Sequence, residues 1–68
     1  MKVSIIITVF NREEFIARSI RSCLSQTMAR NEYEVIVVND GSTDKTEDVI
    51  DSFGNEIRKI SYKRQIII

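Results

Sequence analysis

Four β-branched residues in a row, Val35-Ile36-Val37-Val38, run directly into Asn39-Asp40-Gly41-Ser42. An apolar run closed by such a cluster reads as a strand that stops abruptly in a loop. No polar residue alternates within the run, so both faces of the strand expect cover, as in a parallel sheet. Open α/β sheets bind their ligands beyond the carboxyl ends of their strands. Asp40, a carboxylate set there by a rigid strand, is therefore a candidate ligand contact.

The stretch from Val3 to Phe10 predicts the first strand. Val3, Ile5, Ile7 and Val9 share one face and Ser4, Ile6, Thr8 and Phe10 the other. Ile6 and Phe10 keep the second face apolar, so this also reads as an interior strand. Asn11 followed by Glu14 is a capping pattern, with Asn11 at the N-cap. Ile16, Ile20, Cys23, Leu24 and Thr27 recur at helical spacing, predicting an amphipathic helix from Arg12 to Gln26, with Cys23 as a small core residue. Thr27 to Glu34 is the return connection, turning at Asn31, with Met28 and Tyr33 over the sheet edge. The second strand runs from Glu34 or Val35 to Asn39. A second helix is expected over Thr43 to Ser52, with Ser42 or Asp44 as N-cap and Glu47 three residues beyond Asp44. Thr46, Val49, Ile50 and Phe53 form its apolar stripe, and Gly54-Asn55 supply a left-handed stop. Ile57 to Tyr62 alternates and reads as a weaker edge strand. Lys63-Arg64-Gln65 and Ile66-Ile67-Ile68 follow it.

The order βαβαβ predicts an α/β fold, a parallel sheet of the three-layer type resembling half of a Rossmann-like domain. With the second strand in the middle, right-handed crossovers put both helices on one face. The other face then carries Ile and Val side chains that nothing within 68 residues can cover. Full burial of each is worth ~1.5–3 kcal/mol, and a small core supplies only ~3–5 kcal/mol in all. The expectation is a single truncated domain over residues 1–68, completed by a missing C-terminal half or by self-association as a homo-oligomer.

Ten basic and ten acidic residues cancel, so no nucleic-acid partner is expected. The bases Arg58, Lys59, Lys63 and Arg64 after Ile57 read either as a solvated surface or as a phosphate contact. With one cysteine and no histidine, the chain has neither an internal disulfide nor a His/Cys metal site. No apolar stretch approaches the ~20 residues of a membrane span, so a cytoplasmic location is expected.

Two glycines cannot form a G-x-G-x-x-G or P-loop motif, and a Ser-His-Asp arrangement needs a histidine. What remains is the paired loops Thr8-Val9-Phe10-Asn11 and Asn39-Asp40-Gly41-Ser42. Adjacent parallel strands open both loops on one edge. A flat base could lie against Phe10 while Asp40 accepts from its ring N–H, with helix N-termini near for a phosphate. Asn and Asp at strand ends are also ordinary turn and capping residues.

VSIIITVFNREEFIARSIRSCLSQT followed by YEVIVVNDGSTDKT resembles the N-terminal part of the inverting, nucleotide-sugar-dependent glycosyltransferases of family 2, which have the GT-A fold. The resemblance covers Lys2 to Phe53 and implies nucleotide-binding roles position by position. Thr8 and Phe10 would lie at the donor base, and Asp40 would hydrogen-bond it. Asn11 would cap the first helix, and Gly41 and Ser42 would shape the donor loop. It further implies that the family's metal-binding Asp-x-Asp (for Mg or Mn) and its catalytic base lie beyond this chain, leaving no cofactor within it. The expected function is thus the donor-nucleotide half of a glycosyltransferase, inactive alone, with a nucleotide-sugar such as a UDP-sugar as its weak ligand. The alternative is a non-catalytic, self-associating α/β module. A receiver-like domain is disfavoured, because the acidic cluster expected after its first strand is missing.

Overall fold

The structure, a computed structural model, describes residues 2–62. It contains β1 (Val3–Val9), α1 (Ile16–Leu24), β2 (Tyr33–Asp40), α2 (Thr46–Asp51) and β3 (Arg58–Tyr62), with 3₁₀ turns at Arg30–Glu32 and Gly54–Glu56. The strands form one parallel sheet in the order β1-β2-β3. The expected βαβαβ fold is present, and β2 is central.

Parity along the strands divides the sheet into two unlike faces. Tyr33, Val35, Val37 and Asn39 of β2 are buried, and Ile5, Ile7 and Val9 of β1 lie on the same side. Ile16 and Ile20 of α1 and Ile50 of α2 complete one apolar cluster with them. Both helices therefore lie on a single face. The opposite face carries Ile6, Thr8, Ile36, Val38, Ile60 and Tyr62, with Ile6 64% and Ile60 45% exposed. Among the described residues nothing covers it. β1 is correspondingly an edge strand, not the interior strand its composition suggested. A fully apolar sequence shows that cover is needed, not what provides it.

Several boundaries differ from expectation. The first helix begins as a turn closed on Arg12, whose carbonyl accepts from the Phe15 and Ile16 amides at 3.0 and 2.9 Å, and becomes regular at Ile16. It ends at Leu24, two residues before Gln26. The second helix is six residues, shorter than Thr43 to Ser52, because residues before Thr46 are drawn into a capping network. Tyr33 belongs to β2 rather than to the connection. Its ring is buried, its hydroxyl donates to the Leu24 carbonyl at 3.2 Å, and the Arg30 guanidinium lies 5.0 Å from its centroid. Asn31 sits at the middle of the 3₁₀ turn, and Met28 and the half-buried Cys23 pack on the core. Gly54 has φ +57 with open space around it, so its stop is conformational rather than steric. Lys63, Arg64 and Ile66–Ile68 lie outside the described residues. No helix among those described is long and apolar enough to cross a membrane.

Because the core is this small, single truncations decide its fate. Ile20→Ala, at a fully buried position, should cost about 2–5 kcal/mol and remove most of the cooperative urea transition. Ile6→Ala on the bare face should leave the midpoint nearly unchanged.

Candidate functional site

Val9 pairs with Asn39 across parallel β1 and β2, so both chains leave the sheet side by side at the carboxyl edge. Phe10, Asn11 and Arg12 follow one strand, and Gly41, Ser42 and Thr43 the other. The expected meeting of the two loops is real, and it is made by hydrogen bonds rather than mere proximity.

Asn11 has φ +50, a left-handed conformation that Asn tolerates better than most residues. This turns its side chain away from α1. Its Oδ1 accepts from the Thr43 amide at 2.8 Å and, more weakly, from the Asp44 amide at 3.4 Å. Asn11 therefore serves the start of the second helix, not the first, contrary to the expectation from the Asn11–Glu14 spacing. The favour is returned. The Asn11 amide donates to Ser42 Oγ at 2.9 Å, the Arg12 amide to Thr46 Oγ1 at 3.0 Å, and the Glu13 amide to Asp44 Oδ2 at 3.4 Å. Each segment caps the other across 31 to 34 residues of chain.

Asp44 is the hinge of this exchange. Its Oδ1 accepts from the Thr46 amide at 2.9 Å and from the Thr46 hydroxyl, while Oδ2 faces the Glu13 amide. The Thr46 hydroxyl, with help from the Thr46 and Glu13 amides, holds the Asp44 carboxyl below its ordinary pKa. A negative charge between two helix starts also suits both dipoles. The paired Asp44–Glu47 cap does not form. Glu47 instead accepts from Ser61 Oγ and lies 3.5 Å from Lys59 Nζ, which is itself 2.6 Å from Asp51. The Ser61 hydroxyl and then the Lys59 charge lower the Glu47 pKa, and Asp51 raises that of Lys59.

These bonds bear on two earlier expectations. The amides of Asn11, Arg12, Glu13, Thr43, Asp44 and Thr46 are bonded to protein oxygens, which leaves fewer donors at the helix starts for a phosphate. Lys59, one of the four bases read as a solvated surface or a phosphate contact, pairs with Asp51 and Glu47 of α2.

The remaining site residues fall on the bare face. Val9 and Asn39 point to the helices, where the buried Asn39 accepts from the Ser42 amide at 3.3 Å. Thr8 and half-buried Asp40 therefore turn the other way, and Phe10, 40% exposed, is the first residue beyond β1. Gly41 has φ +70, the left-handed turn by which the chain leaves β2 just after Asp40. The six candidates thus divide. Thr8 and Phe10 are exposed and Asp40 half-buried, while the Asn11 amide donates to Ser42 and Gly41 shapes the turn. Sequence reasoning missed Thr46, which is fully buried and bridges Arg12 to Asp44 although it was read as part of an apolar stripe. A Thr two residues after an Asp at a helix start was the available signal. Among the described residues no three Asp, Glu or Cys side chains gather to hold a metal ion.

A family model described as Glycosyl transferase family 2 matches residues 4–66. A poly(ribitol-phosphate) beta-glucosyltransferase of Bacillus spizizenii is 37% identical over 68 residues, which is 100% of this chain and 10% of that protein. The crystal structure of residues 1–349 of Staphylococcus aureus TarS in complex with UDP-GlcNAc aligns with a TM-score of 0.78 at 31% identity, covering 96% of this chain and 19% of that one. A mannosyltransferase of Pyrobaculum calidifontis, in complex with GDP-Man and Mn2+, shares the fold with a TM-score of 0.76 at 21% identity, over 97% of this chain and 21% of its own. The chain spans a small part of the length of each.

Substitutions at Asn11 separate the two demands on it. Asn11→Gly should lose only the side-chain hydrogen bonds to Thr43 and Asp44, about 1 kcal/mol. Asn11→Ala should lose the cap and also pay a left-handed penalty of about 1–2 kcal/mol more. Urea midpoints that are equal for the two variants would contradict this division.

Proposed function

As the chain belongs to glycosyl transferase family 2, we propose that it holds the nucleotide part of a nucleotide-sugar donor at the carboxyl edge of its sheet. The observation that supports this reading is the parallel pairing of β1 with β2, which brings Thr8, Asp40 and the exposed Phe10 to one carboxyl edge. Phe10 offers a ring for a base to lie on, and Thr8 a hydroxyl beside it. Asp40 as a carboxylate only accepts hydrogen bonds. It suits bases with a ring N–H on their pairing edge, uracil and guanine, over adenine and cytosine. The donors bound by the two structural relatives carry uracil and guanine.

Asn11, Gly41 and Ser42 act in this reading by fixing the loop rather than by touching the ligand. The sugar-transfer chemistry itself, with its metal ligands and its base for the acceptor hydroxyl, belongs to residues other than these. Asp44, the next acid after Asp40 along the chain, has its oxygens on Thr46 and on the Glu13 amide, so it is no free ligand. The 68 residues recognise a donor and do not by themselves transfer its sugar.

A second reading, self-association, is favoured by the bare sheet face. Sedimentation over a range of concentrations should then show dimer or higher species, and a folded monomer throughout would remove this reading.

The donor reading is tested by titrating the chain with UDP, GDP and ADP while following amide resonances. UDP and GDP should shift residues 8–11 and 39–42, and ADP should do so less. Asp40→Ala should weaken UDP by about 1.5–3 kcal/mol, the value of a hydrogen bond to a charged group. Silence at both loops, or equal binding of ADP, would defeat the reading.

A further inference from the structure

We infer that Tyr62 is the second aromatic wall of the nucleobase site, facing Phe10 across Asp40. This rests on the donor reading above and extends it to a strand that reading does not use.

The placement follows from β3. Lys59 and Ser61 turn towards α2, where Lys59 reaches Asp51 and Ser61 donates to Glu47. Alternation then sends Arg58, Ile60 and Tyr62 to the bare face. In register, Tyr62 is the partner of Asp40. On the other flank Val9 is the partner of Asn39, and Phe10, 40% exposed, is the first residue to leave β1 beyond that pair. The carboxyl edge therefore brings together the paired Asp40 and Tyr62 and the neighbouring Phe10: ring, carboxylate, ring. Tyr62 is 52% exposed, so its ring has surface to offer.

The spacing suits a flat ligand. Neighbouring strands lie ~4.8 Å apart, so the backbones bearing the two rings are ~10 Å apart. A base stacked on both sides needs about 7 Å between the ring planes, twice the ~3.5 Å of carbon contact. Each ring has only to lean inward by a little over 1 Å. Asp40 then forms the floor, directed at the edge of the base. The site is also braced on the Tyr62 side, because the bonds from Lys59 and Ser61 fix the end of β3 to α2.

The two kinds of contact divide the work. Stacking is tolerant, since every base has a π face, whereas the carboxylate discriminates by its ring N–H partner. Tyr62 thus sets affinity, and Asp40 sets which base is taken.

The test measures UDP and GDP affinities of the 68-residue chain by amide-shift titration for wild type, Tyr62→Ala, Tyr62→Phe and Asp40→Ala. Tyr62→Ala should weaken both nucleotides by the same factor, about fivefold or more, the lower end of base–aromatic stacking. Tyr62→Phe should stay within about twofold, since it keeps the ring. Wild-type affinity in Tyr62→Ala, alongside weakened Asp40→Ala, would overturn the role of Tyr62 and leave the donor reading standing. Equal losses in Tyr62→Phe and Tyr62→Ala would overturn stacking in favour of a hydroxyl contact. No binding by wild type would overturn both. Should Tyr62→Ala misfold, the wild-type ring protons decide. Those of Tyr62 should move upfield with UDP while those of buried Tyr33 do not, and an unmoved Tyr62 ring would end the inference.

Discussion

Two helices that begin at the same edge of a parallel sheet bring their unpaired amides together, and that conflict organises this molecule. Each helix start presents donors that need acceptors, and both carry the positive end of a dipole. The solution is mutual. Asn11 supplies an oxygen to Thr43 and Asp44, while Ser42, Thr46 and Asp44 supply oxygens to Asn11, Arg12 and Glu13. Asp44 adds a negative charge between them that both ends favour. Thr46 can be fully buried because its hydroxyl both accepts and donates within this network. Among the described residues no buried side-chain polar atom is left without a partner.

The lock determines what the rest of the edge can do. Its bonds engage residues that face the helices, and the strand residues of opposite parity look away from them. Alternation along the strands brings Thr8, Asp40 and Tyr62 to the other face at the end of the sheet. The same alternation leaves Ile6 and Ile60 in the open on that face.

Much of this was legible in the residues. The apolar runs gave the strands, the helical spacing of Ile16, Ile20 and Leu24 gave the first helix, and connectivity gave the one-sided cover. The junction of Asp40 with Gly41 marked the edge that matters. Cap assignment was not legible, for a definite reason. The rule that pairs Asn11 with Glu14, or Asp44 with Glu47, considers one helix at a time. Here the acceptors come from another helix more than thirty residues away, and Glu47 is diverted to Ser61 and Lys59 of β3. The rank of Tyr62 was hidden likewise, because it depends on the register of β3 against β2 and not on any local pattern. Interior cover for β1 was misjudged since composition reports a need for neighbours without saying which polypeptide meets it.

The reciprocal caps have one further consequence. Surface turns usually accept insertions and exchange freely between homologues. These two do not have that freedom, because each is measured against the other through bonds from 11, 12 and 13 to 42, 44 and 46. Lengthening either by one residue would shift every donor off its acceptor at once. The pair works as one joint, and grafting a new loop onto this scaffold means transplanting both halves together.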